Sequence, residues 1–401
     1  MTTDHRPQVE TWLEHVRVLA ERIGPRPSTR DEERQGAEHC RATLDRLGLD
    51  PSVETFSSAR EAFQPHLVTG LALLGAFALY PWGGRATAVA AAVLSAVVLG
   101  SELAELSFRG NLLRHLVAKG PSQNVVATVP PAGEHRRDVV LIGHLDTQRT
   151  PVFFRSFALL VAYVVFTFVA ALSFGSQVVL FALGAVFEWG WVWPAAVPAA
   201  VSAVLLVALC LEALRSPFTP GANDNATAVG LVLTIGQHLR SEPLAHTRVW
   251  LLCSGCEEVA HYGAIDFFRR HRSELVEPSA IALEMLGCAG PRWLVSEGIV
   301  VPFRSDRRLR ALAEQIAAER PELRARPGRA PGGNTEMADA LRAGVPAIAL
   351  VGLDERGLAP HWHTMDDTFD KIDPEVLGRS YELTWDLLRR IDAGSLDRSR
   401  T

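Results

Sequence analysis

The sequence predicts an α/β protein, a mostly parallel mixed sheet flanked by helices and interrupted by about four inserted transmembrane helices in two hairpins. Three observations predict it. Short segments rich in β-branched residues alternate with segments of helical spacing, as expected of strands linked by helices across a sheet. Two long apolar runs, His66–Gly100 and Phe157–Leu211, each hold a single internal charge, Arg85 and Glu188. Clusters of ionisable residues stand just after predicted strands, where open sheets of this kind place their sites.

Composition bounds the answer further. The 401 residues allow two or three domains, or one larger domain with insertions. With 40 Lys+Arg against 45 Asp+Glu, the net charge of -5 gives no electrostatic case for nucleic acid. A 48% hydrophobic content with 31 Gly and 24 Pro excludes a disordered or fibrous chain. The mean hydropathy of +0.11 is high for a soluble protein and low for a pure membrane protein. Five scattered cysteines without CxxC spacing argue against a disulfide framework. The opening MTTDHRPQVETW has no basic start followed by an apolar run, so no cleaved secretory signal is expected.

The elements follow in order. Residues 5–49 carry helical spacing in Val9, Trp12, Leu13, Val16 and Leu19, then again over Cys40–Leu47. In the first apolar run, Leu67–Trp82 and Ala86–Leu103 just reach the roughly 17 residues that a crossing needs. Asn124–Val129 and Asp138–Ile142 read as strands. In the second run, Phe157–Phe187 reads as one long tilted helix or as a crossing and a half-helix, since SFGSQ permits a break. Trp189–Leu211, with Pro194 and Pro198, would return. Then come a helix over Ala226–Arg240, a strand over Thr247–Cys253 and a helix over Glu258–Arg272. A strand over Ala280–Leu286, a helix over Leu309–Glu319, a strand over Val345–Val351 and a closing helix over Pro374–Ile391 complete the chain.

Five segments carry the chemistry. LIGHLDTQ puts His144 and Asp146 at a strand end, where positions i and i+2 share a face. GANDNATAVG offers Asp224 in a turn leading into a helix. SGCEEVAHYG offers Glu257 and Glu258, and ALEMLG offers Glu284. PHWHTMDDT adds His361, His363, Asp366 and Asp367. Taken singly, each has an ordinary explanation: a satisfied His–Asp pair, a solvated helix start or a plain turn. Glu284 does not, because it interrupts an apolar run and an unpaired buried carboxylate is costly. Together the segments supply two His and three carboxylates as ligands for zinc, which accepts imidazole nitrogen and carboxylate oxygen, with a further Glu left as a base.

HLDT, GANDNA, CEE, LEMLG and HTMDDTFDKID, in that order, resemble the co-catalytic zinc aminopeptidase and glutamate-carboxypeptidase family. The resemblance covers roughly residues 5–60, 110–150 and 217–395. It implies two Zn2+ ions, or another divalent metal, with a peptide or aminoacyl substrate. His144 and Glu284 would bind the first ion, Glu258 and His363 the second, and Asp224 would bridge both. Glu284 stands where the family usually has aspartate. Glu257 would be the general base and Asp146 would orient His144. The resemblance also implies a cis peptide between Asp224 and Asn225. Glu336, in TEM before GVPAIAL, is a candidate neighbour of the site. His361 is read as structural or substrate-lining, His261 as helix surface, and Cys253, Cys256 and Cys288 as buried fillers.

The apolar runs divide one catalytic domain into segments 1–61, 109–155 and 215–401, with hairpins at 62–108 and 156–214. Residues sharing one metal site lie on one side of a membrane, so each run crosses an even number of times. Arg60, Arg109, Arg114, Lys119, Arg149, Arg155 and Arg215 flank the domain side and only Arg85 marks a tip, which predicts a cytoplasmic domain anchored in the lipid bilayer. The leading expectation is a membrane-anchored dizinc exopeptidase, an aminopeptidase in preference to a carboxypeptidase. A glutaminyl-cyclase-like acyltransferase with one zinc and a non-catalytic scaffold are the alternatives. The sequence leaves the oligomeric state open.

Overall fold

The computed structural model describes residues 5–394; residues 1–4, on which the reading of the chain's start partly rests, and residues 395–401 lie outside the described residues. Nine strands form one sheet: β1 Ser52–Ala59, β2 Lys119–Val129, β3 Arg137–His144, β4 Thr247–Ser254, β5 Ser279–Glu284, β6 Pro291–Gly298, β7 Phe303–Arg304, β8 Arg326–Pro331 and β9 Ala347–Gly352. Their order is β1-β2-β4-β3-β5-β9-β6-β7, with β8 beside β6. The central strands β4, β3, β5 and β9 run parallel, while β2 and β6 run antiparallel to their neighbours. This is the mixed α/β sheet that the sequence predicts.

The central strands are apolar runs because both of their faces are covered. Alternate residues feed two cores. Val139, Leu141, Val249, Leu251, Ile281 and Leu283 face one core, with Trp12, Leu44, Leu231 and Leu388 from helices Arg6–Arg17, Asp31–Arg46, Thr227–Ser241 and Pro374–Asp392. Val140, Ile142, Leu252 and Ala282 face the other, with Phe267 from helix Tyr262–His271 and Met337 from helix Met337–Arg342. The helix expected from Glu258 begins only at Tyr262, because Cys256, Ala260 and His261 all have positive φ and cannot propagate a right-handed helix. The strands missing from the sequence reading lie toward one edge or carry breakers. β1 is mostly polar and partly exposed, and β8 reads RPGRAP.

Residues Ala59–Ala118 and Arg149–Pro217 form a second compact unit, wider than the expected hairpins. Its main helices are Gln64–Leu79, Gly84–Glu105, Phe157–Phe187 and Val197–Ala213. Two of them, Gly84–Glu105 and Phe157–Phe187, are long and apolar enough to cross a membrane; the other two are shorter apolar helices. Phe157–Phe187 is unbroken at SFGSQ, and its 31 residues reach about 46 Å at ~1.5 Å each. The expected Trp189–Leu211 return is instead a short turn of helix, Val192–Ala195, followed by Val197–Ala213 with Pro198 in its first turn. Pro is tolerated there and not in a helix interior. Inside the unit, buried Gln177 donates to the Leu73 carbonyl at 3.1 Å and to Ser95 Oγ at 3.0 Å. On the outside, Phe168 and Leu172 are 67% and 77% exposed.

Candidate metal centre

Three parallel strands end side by side and deliver the first part of the site. His144 is the last residue of β3 and pairs in register with Ser254, the last of β4; Glu284 is the last of β5. Glu257 and Glu258 follow β4 directly. Asp224 lies in the Ala222–Ala226 turn that opens helix Thr227–Ser241, and the Asp224–Asn225 peptide is cis, as the resemblance implies. His363 comes from the loop after β9.

The Asp224 turn is held from several directions. Asp367 accepts the backbone N–H groups of Asn223 at 2.6 Å and of Asp224 at 3.0 Å. Asn225 donates to the Leu283 carbonyl and accepts from the Met285 N–H, both at 3.1 Å, and so brackets Glu284. Trp12 donates to the Thr227 carbonyl at 2.7 Å and fits because position 230 is glycine; a Cβ there would lie 2.6 Å from the indole. Gly221 enters the turn at φ +66, where a Cβ would lie 2.2 Å from Thr147 Cγ2 and 2.7 Å from the Asp224 carbonyl oxygen. Only glycine satisfies both the conformation and the space.

The seven expected site residues all converge. His144 Nε2 is 3.3 Å from Asp224 Oδ1, 3.4 Å from Glu284 Oε1 and 3.8 Å from Glu257 Oε2. His363 Nε2 is 3.3 Å from both Asp224 Oδ2 and Glu258 Oε2. Each oxygen of Asp224 therefore faces a different histidine. Among the described residues three groups of metal-ligand type result, His144–Asp224–Glu284, Asp224–Glu258–His363 and His144–Glu257–Glu258, and Asp224 belongs to the first two. A tetrahedral ion with ~2.1 Å bonds to N and O separates its ligand atoms by about 3.4 Å. The donor types and their spacing fit a divalent metal in each of the two triplets that share Asp224. Glu284, despite its extra methylene, meets that spacing.

The charges need such a partner. Burial favours neutral imidazole at His144, but the carboxylates of Glu284 and Glu257 outweigh it and hold its pKa well above the ordinary value. Burial likewise lowers His363, and Glu258 and Asp224 overcome it to raise its pKa to about 10. Burial pushes Glu258 up to about 7 against the pull of His363, and pushes Glu284 well above the carboxylate range. Asp224 is the exception: burial raises it, yet His144 and His363 together hold it below the usual range. Five buried or nearly buried carboxylates (Asp146, Asp224, Glu257, Glu258 and Glu284) thus face two imidazoles. Among the described residues, Asp224 Oδ2 and Glu258 Oε1 are buried without a hydrogen bond, a costly state that cations relieve.

Asp146 acts in a way the sequence did not announce. His144 Nδ1 lies 3.0 Å from the backbone carbonyl of Asp146 and 3.5 Å from its carboxylate. The carboxylate instead accepts the N–H of Glu257 at 2.9 Å, the N–H of Glu258 at 3.1 Å and the Ser28 hydroxyl at 2.6 Å. His261 corrects the reading as helix surface: it is 1% exposed, with Nε2 3.0 Å from Glu257 Oε1 and Nδ1 against Asp339. Glu336 is fully buried and accepts the Ser254 hydroxyl, facing the charges of His144 and Glu257. His361 is half-buried with φ +63, and its carbonyl accepts from Thr364. Cys253 and Cys256 are buried, and Cys288 is half-buried.

Two supporting residues escaped sequence reading. Arg26 is completely buried and donates to the carbonyls of Leu19, Gly24, Leu145, Pro220 and Gly221, tying the strand end of His144 to the turn of Asp224. Glu33 accepts from the Thr29 and Cys256 N–H groups and from the Ser122 hydroxyl. Neither has a sequence signal, since Arg26 lies in a proline-flanked loop and Glu33 in a charged helix, both settings typical of a surface.

Residues 206–388 match the model of peptidase family M28, a span that holds Asp224, Glu257, Glu258, Glu284 and His363 and begins after His144 and Asp146. No curated protein matches the chain. Among solved structures, an aminopeptidase from Aneurinibacillus sp. strain AM-1 is similar at 13% identity and TM-score 0.58, covering 97% of this chain and 96% of that one. A zinc aminopeptidase from Bacillus subtilis is similar at 14% identity and TM-score 0.57, covering 96% and 95%. Glutaminyl cyclase from Tannerella forsythia is similar at 13% identity and TM-score 0.55, covering 95% and 98%. At these identities the likeness establishes a shared fold.

Proposed function

We propose that this chain, whose residues 206–388 match peptidase family M28, is a dizinc aminopeptidase-like metallopeptidase, a membrane-anchored exopeptidase hydrolysing peptide bonds at the amino end of its substrates. The observation that carries the reading is Asp224, one oxygen toward each histidine in two triplets of metal-ligand type. His144, Asp224 and Glu284 would hold one zinc ion, and Asp224, Glu258 and His363 a second. When bound, such a pair supplies Lewis acidity, making water acidic near neutral pH and polarising a carbonyl.

This chain's own residues do the rest. Glu257 Oε2 points into the site, 3.8 Å from His144 Nε2, placed to take the proton of the attacking water and return it to the departing amine. Asp146 holds the backbone from which Glu257 and Glu258 project. The carbonyl of Asp146 faces Nδ1 of His144, which leaves Nε2 as the ligand atom and fixes the ring.

Similar solved structures include glutaminyl cyclases, so a one-zinc acyltransferase is the rival reading. It leaves one complete triplet without a purpose, and a non-catalytic scaffold leaves two; both count in favour of hydrolysis. The test is hydrolysis of a panel of aminoacyl-4-nitroanilides by detergent-purified protein. We expect turnover in the wild type and its near-complete loss in Glu257→Gln with metal content unchanged. Cyclisation of an N-terminal glutaminyl peptide without hydrolysis of the panel would support the rival.

The second unit supports anchoring in a lipid bilayer. Its long helices present apolar side chains outward, and Trp189, Trp191 and Trp193 lie at the hairpin end as interfacial aromatics do. Four crossings, with the two shorter helices spanning by local thinning of the bilayer, keep all site residues on one side. The excess of Lys and Arg on the domain side supports a cytoplasmic domain.

A further inference from the structure

The proposed base is gripped from behind by a buried imidazole. His261 Nε2 stands 3.0 Å from Glu257 Oε1, while Oε2 of the same carboxylate faces His144. The other nitrogen of His261, Nδ1, is hydrogen-bonded to Asp339 Oδ2, and Asp339 Oδ1 lies 3.4 Å from Arg342. All three members of the Glu257–His261–Asp339 chain are at most 8% exposed. They come from three places: the turn after β4, the residue that caps helix Tyr262–His271, and helix Met337–Arg342.

The backbone at this point is shaped to bring the ring back. Ala260 and His261 both have positive φ, +86 and +60. The Ala260 and His261 N–H groups both bond to the Glu257 carbonyl, at 2.9 and 2.8 Å. A positive φ is uncommon in residues with a Cβ and tends to mark constrained positions. Here it folds position 261 beneath the carboxylate four residues earlier. A histidine at a buried helix end needs no such arrangement for packing alone, since an apolar side chain would fill the space without two carboxylates to satisfy.

Resting on the reading of Glu257 as the base, we propose that His261, oriented by Asp339, is the positioning residue for Glu257, pinning one carboxylate oxygen so that the other is aimed at the reacting water. A free Glu side chain samples several χ rotamers. Displacing a catalytic group by ~1 Å costs up to about a hundredfold in rate. Burial opposes charge on His261, yet Asp339 and Glu257 together raise its pKa well above the ordinary value. That direction matches a ring donating through both nitrogens, one to each carboxylate.

The test uses the full-length, detergent-purified protein with its metal, with His261→Ala, His261→Gln, Asp339→Asn and the His261→Ala/Asp339→Asn double variant. We expect His261→Ala to lower kcat roughly 10- to 100-fold with KM and zinc content near those of the wild type, and to lower Tm, because Asp339 and Glu257 lose the ring between them. His261→Gln, which keeps one donor toward Glu257, should recover a large part of that loss. Asp339→Asn should lower kcat less, and the double variant no more than His261→Ala alone. A readout independent of turnover is the downfield imidazole N–H proton resonance of the metal-free protein. It should disappear in His261→Gln and move in both Asp339→Asn and Glu257→Gln. Wild-type kcat in His261→Ala, or a resonance unmoved by Glu257→Gln, overturns the proposal. If His261→Ala does not fold, equal kcat in His261→Gln, Asp339→Asn and the wild type overturns it as well. Absence of hydrolysis by the wild type itself would instead refute the exopeptidase reading, and the resonance would still decide whether His261 holds Glu257.

Discussion

The carboxylate of Asp146 accepts the backbone N–H of Glu257 at 2.9 Å, so the segment that follows His144 fixes the turn that supplies Glu257, the proposed base. The other oxygen takes the N–H of Glu258 and the Ser28 hydroxyl. Burial opposes the charge on Asp146, but the neighbouring His144 ring and the bonds from Ser28 and Glu257 hold its pKa below the usual carboxylate range. One side chain thereby couples both triplets to β3.

Asp146→Asn keeps the shape and turns one acceptor into a donor facing a backbone N–H. Metal affinity should fall about 10- to 100-fold, and turnover at saturating metal should fall as well, because Glu257 loses its anchor. Competition with a chromophoric chelator measures the first effect. Unchanged affinity would show that the Asp146 carboxylate is dispensable to the centre.

Gly221→Ala places a methyl group where Thr147 and the Asp224 carbonyl already stand. The turn must shift, and overpacking of this kind costs about 1–3 kcal/mol. The shift falls on Asp224, so both metals should bind more weakly, by roughly tenfold or more. Isothermal titration of the metal-free protein with zinc reads this directly; a wild-type isotherm would mean the turn relaxes without moving Asp224.

Metal removal should cost stability, since the centre gathers carboxylates from four segments that repel one another without cations. A ligand at 100 times its Kd stabilises by about 2.7 kcal/mol, worth roughly 3 °C in a chain of this size at about 1.2 °C per kcal/mol. Differential scanning calorimetry with and without chelator should show a loss of that order, restored by zinc.

Glu297 on β6 gives a pH dependence separate from the centre. Burial pushes it up to about 8 from the ordinary carboxyl value of 4.5, against a bond from the Thr335 hydroxyl at 2.9 Å. Its folded pKa is the higher one, so the folded state holds the proton more tightly. Stability from this group is full below the unfolded pKa and is lost as pH rises from about 4.5 through about 8. The loss is on the order of 2–4 kcal/mol. Among the described residues, Glu297 Oε1 has no hydrogen-bond partner, so Glu297→Gln gives up no acceptor there and should flatten that slope in urea unfolding at pH 5 and pH 8. A slope equal to the wild type's would exclude Glu297 as its source.

The central sheet and the convergence of the seven candidate site residues were legible because each signal was local. β3 and β5 are apolar runs closed by His144 and Glu284, and the charged residue at the end of such a strand announces itself. What stayed hidden depends on contacts distant in sequence. Arg26 and Glu33 sit in charged segments, and only the fold turns them inward beneath the centre. His261 lies one turn after Glu257 in what reads as a polar helix start; two successive positive φ angles, invisible in composition, turn it under the base instead. Asp146 has the spacing to face His144, yet the backbone carbonyl takes that place and frees its carboxylate for Glu257 and Glu258. In the apolar unit, the expected return helix breaks at Ala196, just before Pro198, which sits in the first turn of Val197–Ala213 where proline is tolerated.

The most direct test is zinc per chain, measured by elemental mass spectrometry on detergent-purified protein dialysed against a weak chelator. Two triplets sharing Asp224 predict about two equivalents in the wild type, falling in His363→Ala. One equivalent, or none after added zinc or manganese, would contradict a co-catalytic pair and with it the proposed hydrolysis.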